Sequence, residues 1–430
     1  MSNYMCVPKG ETGIDEGIVM DRSVEKIVAA DAVLREGGGW PVERRAILDW
    51  LMTETRDERF LDRILVQMCK RLIDEGVPVA RATMHVRTLN PQWMGARMLW
   101  TKGQDKADFL TFGYGIEDTS QFQNSPIADL QRGAREVRQS LEAVDEAGDH
   151  YPLYKELKAE GYTDYVAWPI EHTLGKQHVV TFATDVAGGF DDHQLGYLRD
   201  LLPALALVSE IRIKNRLART LLETYVGPYA SELILAGSTT RGSGTTVGAA
   251  ILICDLRDFT AISDVWPRDD VIDLLNAYFD AMCGPIEKHG GEILKFMGDG
   301  LLAIFPLSNP NACMDLLAAL GEAQTAMKEL NAKNVDAGQM ALGYGIGVHV
   351  GDVMYGNIGS RTRLDFTVIG PAVNVASRIE NLTKLVNRKV LVSRAFADLA
   401  GSASGLHSLG MYPAKGLTEP IEVLALQAEP

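Results

Sequence analysis

The sequence has few of the features that mark secreted, membrane-spanning or nucleic-acid-binding proteins. Only five of its 430 residues are cysteines: Cys6, Cys69, Cys254, Cys283 and Cys313. Their spacing is not that of a metal site, and such a small, scattered set is typical of proteins in a reducing compartment. No stretch approaches the ~20 apolar residues of a membrane span, and the amino terminus lacks the basic-then-apolar order of a secretory signal. A net charge of −15 disfavours nucleic acid and anionic membranes as partners. We therefore expect a cytoplasmic protein.

Two aspartates stand out at the ends of strand-like segments. Asp255 closes the apolar run 249–254, which is typical of a strand buried on both faces. Asp299 lies in a Gly-Asp-Gly sequence between two apolar arms, a pattern that predicts a hairpin whose glycines let a ligand approach the backbone. Taken singly, each aspartate is typical of a turn or a cap. Together they predict a site with oxygen ligands, which suits Mg²⁺ or Mn²⁺.

A segment further along the chain predicts a polar helix. Pro371 is well placed to open this helix, since its fixed φ angle suits the first helical position. Asn374 and Arg378 are then neighbours on one helical face, four residues apart. A solvated polar face is the alternative to a functional role for these two residues taken alone.

From Thr246 to Glu429 these motifs occur in the same order as in the class III nucleotidyl cyclases, which this part of the sequence resembles. The apolar patterns of this segment predict a strand, a helix, a hairpin, a helix and a strand over 342–350, which is the ferredoxin-like order. The resemblance implies the same fold, a ferredoxin-like α+β catalytic domain with helices on one face of an antiparallel sheet. It also implies two divalent cations, Mg²⁺ or Mn²⁺, and a nucleoside triphosphate substrate. The residues that it assigns are the metal ligands Asp255, Asp299 and the backbone carbonyl of Leu256, the purine-binding pair Lys295 and Thr367, the transition-state pair Asn374 and Arg378, and the phosphate-binding Lys415.

Elementary chemistry supports these roles. Cyclisation requires a ribose 3′-hydroxyl to attack the α-phosphorus while pyrophosphate leaves, so two cations and a planar guanidinium meet the charge that develops. Lys295 can donate to N1 of adenine and Thr367 can accept from its 6-amino group, which favours ATP over GTP. The Lys–Thr pair also resembles a subgroup for which bicarbonate stimulation has been described. A guanylate cyclase and a non-catalytic nucleotide-binding or dimerisation module are the alternatives.

The resemblance has consequences for assembly. In the family one subunit supplies the metal ligands and the other supplies the remaining site residues, so a chain that carries both sets predicts a homodimer with two sites at its interface. Pro371 stands where many relatives have an acidic residue, which leaves the predicted activity unchanged. The family often places a phosphate-contacting arginine after the next strand, and the resemblance implies this role for Arg361 or Arg363. Spacing does not decide between them, and an ordinary loop charge is the alternative for either.

The amino-terminal half has the order helix, strands, variable middle and strands, which resembles a GAF-type sensor domain. Its aromatic residues Trp93, Trp100, Tyr165 and Trp168 either line a pocket for a small-molecule ligand or fill a core. A plain dimerisation module is the alternative to a sensor. The domains predicted for the chain are an amino-terminal extension over 1–41, a GAF-like domain over 42–206, a helical linker and joint over 207–245, and a catalytic domain over 246–430.

The linker region predicts one long helix over Asp192 to Val226, with leucines at three- and four-residue steps. Pro203 predicts a kink, or the end of the last helix of the sensor domain. Two packing arrangements fit this pattern: a two-stranded coil between protomers, and a helix packed on its own domain.

Overall fold

The computed structural model describes residues 46–88, 90–145, 150–401, 405–413 and 419–426. The chain divides into two compact units, Met1–Asn215 and Arg216–Pro430. The predicted extension over 1–41 and the predicted phosphate ligand Lys415 lie outside the described residues. Among the described residues, no helix is long and apolar enough to cross a membrane.

The first unit contains a six-stranded sheet in which every neighbouring pair is antiparallel. Its strands are β1 (Arg81–Arg87), β2 (Gly95–Thr101), β3 (Asp108–Phe112), β4 (Val137–Ser140), β5 (Asp164–Glu171) and β6 (Gln177–Thr184). The spatial order is β3-β2-β1-β6-β5-β4. The helices are α1 (Ala46–Thr53), α2 (Leu61–Asp74), α3 (Ser120–Gln123), α4 (Pro126–Gln131), α5 (Pro152–Ala159) and α6 (Asp192–Val226), the last of which continues beyond this unit. Three-residue and four-residue 3₁₀ turns occur at Glu54–Asp57, Ile116–Asp118 and Thr173–Gly175.

The sheet of the first unit packs a different cluster on each face, because successive side chains of a strand point to opposite sides. Trp100 and Trp168 belong to a core shared with helices α1, α2 and α6, and they are only 1% and 2% exposed. Tyr165 lies on the other face with residues of α4 and α5. Of the two alternatives stated for the aromatic residues, the two tryptophans therefore fill a core, and they do not share one pocket with Tyr165.

Helix α6 runs unbroken through Pro203, and its bounds are those expected from the sequence. Its first part packs on its own unit, since Leu198, Leu201 and Leu205 are at most 1% exposed within the core of that unit. A coil between protomers is therefore wrong for this part of the helix, because its apolar stripe is already covered.

The second unit contains an eight-stranded sheet with the order β13-β14-β12-β10-β7-β9-β8, and β11 pairs with β10 outside this path. Its strands are β7 (Gly244–Leu256), β8 (Glu292–Met297), β9 (Gly300–Pro306), β10 (Tyr344–Gly359), β11 (Leu364–Ile369), β12 (Val390–Ser393), β13 (Leu406–Tyr412) and β14 (Ile421–Leu426). Its helices are α7 (Pro228–Leu235), α8 (Phe259–Val265), α9 (Arg268–Lys288), α10 (Ala312–Asp336), α11 (Pro371–Leu385) and α12 (Arg394–Ala400).

Helices cover both faces of this second sheet, which corrects the expectation that they occupy one face of an antiparallel sheet. Helices α9, α10 and α12 share a core with one face, whereas α7 and α11 pack on the other. Helix α11 can lie against β10 because Gly345, Gly347 and Gly351 present no side chain there. The sheet is mixed, since β10 and β12 are parallel. The predicted order of strand, helix, hairpin, helix and strand is present.

Candidate active site

The two predicted metal ligands lie side by side at one end of the central strands. Asp255 is the penultimate residue of β7, and Asp299 lies in the turn that joins β8 to β9. Gly300 allows this approach, because a Cβ atom there would lie 2.9 Å from the carbonyl oxygen of Cys254 and 3.1 Å from Oδ1 of Asp255. Gly298 has a φ of 70°, which glycine adopts at little cost. The Gly-Asp-Gly sequence thus brings the hairpin turn against the end of β7.

The electrostatics of this pair fit a bound cation. Burial, followed by the charge and hydrogen bonding of Asp299, raises the pKa of Asp255 to about 6. The backbone amide of Leu256 opposes this shift by hydrogen bonding to the Asp255 carboxylate. A divalent cation would remove the repulsion between two half-buried carboxylates, and hard oxygen ligands suit Mg²⁺ or Mn²⁺. In the described ranges there is no cluster of three or more His, Cys, Asp or Glu residues that could hold a metal, so the fit depends on this pair.

A third carboxylate near the pair was not predicted from the sequence. Glu380 on α11 is 8% exposed, and burial, followed by the charge of Asp255, raises its pKa to about 7. It faces β10 at Gly345, where a Cβ atom would lie 2.6 Å from Oε1 of Glu380. Gly345 is the register partner of Asp255. No local pattern in the sequence indicates that Glu380 is buried near the pair, because its burial depends on the glycine across from it.

Helix α11 begins at Pro371, as expected, and carries both predicted transition-state residues. Asn374 is exposed and Arg378 is half-buried. Arg257, two residues after Asp255, donates hydrogen bonds to the carbonyl oxygens of Thr383 (3.2 Å) and Arg388 (2.6 Å). These bonds tie the carboxyl end of α11 to the segment that follows the first aspartate.

The predicted purine-binding residues lie on β8 and β11, two strands that contact each other. Lys295 is half-buried on β8. Thr367 on β11 is 4% exposed, and its hydroxyl has no hydrogen-bond partner among the described residues. Buried hydroxyl groups are normally paired, so this one is suited to meet a ligand. Arg361 and Arg363 are both exposed in the turn between β10 and β11.

Comparison with known proteins places this arrangement in a family. Residues 244–423 match the family described as the adenylate and guanylate cyclase catalytic domain. This segment is a cyclase catalytic domain of the adenylate/guanylate type. The match contains both aspartates, the hairpin and α11, and it ends before the last described strand is complete.

Curated relatives carry similar domains. An adenylate cyclase of Anabaena cylindrica is 36% identical over 157 residues, which cover 36% of this chain and 31% of that protein. Adenylate cyclase 1 of Rhizobium meliloti is 26% identical over 250 residues, which cover 56% of this chain and 37% of that protein. The chain therefore spans about a third of the length of these two relatives. The crystal structure of the guanylyl cyclase Cya2 is 33% identical and covers 44% of this chain and 96% of that one, with a TM-score of 0.39.

Proposed function

We propose that the protein is an adenylate cyclase that converts ATP to 3′,5′-cyclic AMP and pyrophosphate at the interface of a homodimer. The observation that carries this proposal is the pair Asp255 and Asp299, two half-buried carboxylates that lie side by side, where burial, followed by the charge of Asp299, raises the pKa of Asp255 to about 6. Such a pair is suited to divalent cations that bind a triphosphate. The cyclase family of residues 244–423 supports the reaction class.

In this proposal Asp255, Asp299 and the Leu256 carbonyl would hold two divalent cations, Mg²⁺ or Mn²⁺. Bound there, such ions would supply the charge that acidifies the ribose 3′-hydroxyl and neutralises the triphosphate. Arg378 meets the negative charge that develops on the α-phosphate and on the leaving group, since a guanidinium offers several fixed donors. Asn374 orients the ribose by hydrogen bonding, and Lys415 holds the terminal phosphates.

We assign the substrate as ATP from Lys295 and Thr367. The unpaired, buried Thr367 hydroxyl can accept a hydrogen bond from the 6-amino group of adenine. GTP presents a donor at N1, which the donor-only Lys295 cannot pair, whereas the Thr367 hydroxyl can also donate to O6; discrimination against GTP therefore depends mainly on Lys295. The names of the two curated relatives, both adenylate cyclases, agree with this assignment.

Exposed apolar side chains support the homodimer. Phe296 and Met297 on β8 are 53% and 43% exposed, and Leu364 and Ile369 on β11 are 38% and 51% exposed. These residues flank Lys295 and Thr367 on two strands in contact. Large apolar side chains exposed together mark interaction surfaces. A second copy of the chain that covered them would enclose the substrate.

The regulatory part of the proposal is that the first unit is a GAF-like sensor domain for a small-molecule ligand. A site made from two subunits works only when they meet at one angle, so a signal that moves the subunits would change the active population.

The first experiment measures cyclic nucleotide production by the full-length chain with ATP or GTP and Mn²⁺. We expect cyclic AMP from the wild type, none from Asp299→Asn, and wild-type rates from Asp269→Asn, a matched change at a 78% exposed aspartate of the same unit. Cyclic GMP as the main product would overturn the substrate assignment. Equal product from wild type and Asp299→Asn would overturn the catalytic role of the pair.

A complementation experiment tests the shared site. Asp299→Asn and Arg378→Ala should each be inactive as homodimers. After the two are mixed and exchange subunits, half of the dimers are heterodimers with one intact site each, so roughly a quarter of the wild-type rate should return. No recovery, with subunit exchange verified by differently tagged chains, would show that one chain supplies the whole site.

A further inference from the structure

A small cavity lies in the first unit, on the face of its sheet opposite the tryptophan core. Its volume is about 50 Å³. Polar residues from the four neighbouring strands β2, β1, β6 and β5 line it. They lie on one face of the sheet, because they either alternate along one strand or stand opposite each other on neighbouring strands. These residues are Arg81, Thr83, His85, Arg97, Tyr165 and Thr181. Ile127 and Leu153 complete the wall. The cavity is thus a polar pocket within an otherwise apolar layer.

The charge inside this pocket is unbalanced. Arg81 is 9% exposed, and neither Arg81 nor Arg97 forms an ion pair with any residue that the structure describes. Among the described residues, no carboxylate lines the cavity. The charge of Glu160 acts on the Arg81 guanidinium, but its effect is the smallest of those on that group. Burying a cation without a partner is costly, and an anion in the cavity would offset that cost.

Two hydrogen-bond donors in the pocket lack partners. Nε of Arg97 has none among the described residues, and the hydroxyl of Tyr165, a residue that is 1% exposed, has none there with normal hydrogen-bond geometry. A weak interaction with Thr181 lowers the pKa of Tyr165, less than burial raises it, but the Thr181 hydroxyl lies 2.6 Å from that of Thr83. Nε2 of His85 is 3.0 Å from the Thr83 hydroxyl. Burial, followed by the charges of the two arginines, lowers the pKa of His85 to about 3, so this ring is neutral at pH 7. The unused donors and the uncompensated charge point to the same kind of ligand.

We propose that this cavity binds one small oxyanion or short carboxylate, with Arg97, Arg81 and Tyr165 as its donors. A cavity needs a volume of roughly 10–15 Å³ to hold one water molecule, so this cavity of about 50 Å³ holds about three or four non-hydrogen atoms. Nitrate, acetate and formate have that size, whereas a cyclic nucleotide is far larger. Planar oxyanions suit the guanidinium group, which donates two parallel hydrogen bonds. Binding itself does not depend on the proposed cyclase activity.

Thermal unfolding and calorimetric titration of the full-length chain test this proposal. Sodium nitrate, acetate, formate and phosphate would each be added at constant ionic strength, with gluconate as the balancing anion because it is too large for the cavity. We expect a saturating rise in Tm and one bound ion per chain for at least one of the three small anions, and no saturation with phosphate. Comparison among nitrate, acetate and formate distinguishes an inorganic oxyanion from a carboxylate.

Three variants locate the bound ion. Arg97→Gln should weaken binding at least tenfold, because a charged donor is lost. Tyr165→Phe removes only the hydroxyl, and a severalfold loss is expected there even if Arg97→Gln fails to fold. Arg63→Gln is the matched control, since Arg63 lies in the same unit with a side chain that is 63% exposed. Equal affinity in the wild type and Tyr165→Phe, a non-saturating rise shared by all chains, or no binding by any small anion would overturn the proposal.

Discussion

Replacing Gly347 with alanine should push the helix that carries Asn374 and Arg378 away from the sheet. A Cβ atom at Gly347 would lie 2.2 Å from the backbone nitrogen of Glu380 and 2.4 Å from the backbone oxygen of Ala376. Both contacts are with backbone atoms of α11, so no side chain can rotate to relieve them. Because the optimal separation of non-bonded carbon atoms is ~3.5–4.0 Å, helix α11 must move away from the sheet by roughly 1–1.5 Å.

The size of the effect follows from this displacement. Overpacking of this kind costs about 1–3 kcal/mol, and a unit of this size loses roughly 2–4 °C in Tm for each kcal/mol. A decrease of roughly 2–12 °C is therefore expected. In the proposed cyclase the shift also moves Asn374 and Arg378, and a 1 Å misplacement of catalytic groups can cost roughly a hundredfold in rate.

Differential scanning calorimetry and cyclase assays on the full-length chain measure both effects. Gly321→Ala is the matched control, because Gly321 lies on the exposed face of α10 and a Cβ atom there meets nothing within 4 Å. Alanine in a helix interior is favoured over glycine by about 0.5–1 kcal/mol, so this variant should gain stability and keep its activity. A Gly347→Ala variant with wild-type Tm and activity would refute the packing of α11 on β10 described above.

The remaining predictions concern buried carboxylates and the metal pair. Asp164→Ala should lower the free energy of unfolding by about 3–5 kcal/mol, because this 1% exposed carboxylate accepts hydrogen bonds from a guanidinium and two backbone amides. Asp185→Ala removes a carboxylate from an exposed ion pair and should lower the free energy of unfolding by less than about 1 kcal/mol. Thermal unfolding compares the two. Glu210→Gln should destabilise the first unit at pH 7, since hydrogen bonds from Lys214 and then Thr173 lower the pKa of Glu210 from 4.5 to about 2. That stabilisation is present above pH 4.5 and is lost as pH falls towards 2. In urea titrations, the difference in free energy of unfolding between the wild type and Glu210→Gln should therefore shrink as the pH is lowered. Mn²⁺ should raise the Tm of the wild type but not that of Asp299→Asn.

Each of these predictions has an outcome that contradicts it. Equal losses in Asp164→Ala and Asp185→Ala would mean that burial does not set the cost. If the loss of unfolding free energy in Glu210→Gln stays constant from pH 7 to pH 3, the ion pair is not its cause. An equal Mn²⁺ effect in wild type and Asp299→Asn would remove the aspartate pair as the metal site.

Local patterns were sufficient to predict much of the second unit. The apolar run before Asp255 became β7, the glycines around Asp299 became a hairpin turn, and Pro371 opened α11. These features depend on residues close in sequence, where turn chemistry and periodicity act directly. The predicted strand at 342–350 was too short, because Gly351, Gly356 and Gly359 resemble turn residues. Pairing with β7 carries β10 as far as Gly356, and pairing with β11 carries it on to Gly359, regardless of those glycines.

Features that depend on distant residues could not be predicted from one sequence. Glu380 is buried only because Gly345 stands opposite it on β10. The placement of α11 on the face opposite α9 and α10 has the same origin, since the glycines of β10 leave room there. In the first unit, Arg81 and Arg97 look like ordinary polar residues of alternating strands in the sequence. Only the order of the strands in the sheet brings them into one cavity. The sequence predicts four strands of that sheet, over 82–86, 96–100, 165–170 and 178–184, which correspond to β1, β2, β5 and β6. It does not predict β3 and β4; the residues of β3 are mostly exposed and lack apolar alternation.

The long ladder between β7 and β10 also has a consequence for synthesis of the chain on the ribosome. Leu256 pairs with Tyr344, and residue 344 leaves the ribosome 88 residues after residue 256. At ~5–20 residues per second, the apolar strand that ends at the first aspartate waits roughly 4–18 s for this partner. Its other neighbour, β9, arrives earlier and can cover only one edge. Nascent chains that stall before residue 344 should therefore bind chaperones that recognise exposed apolar strands.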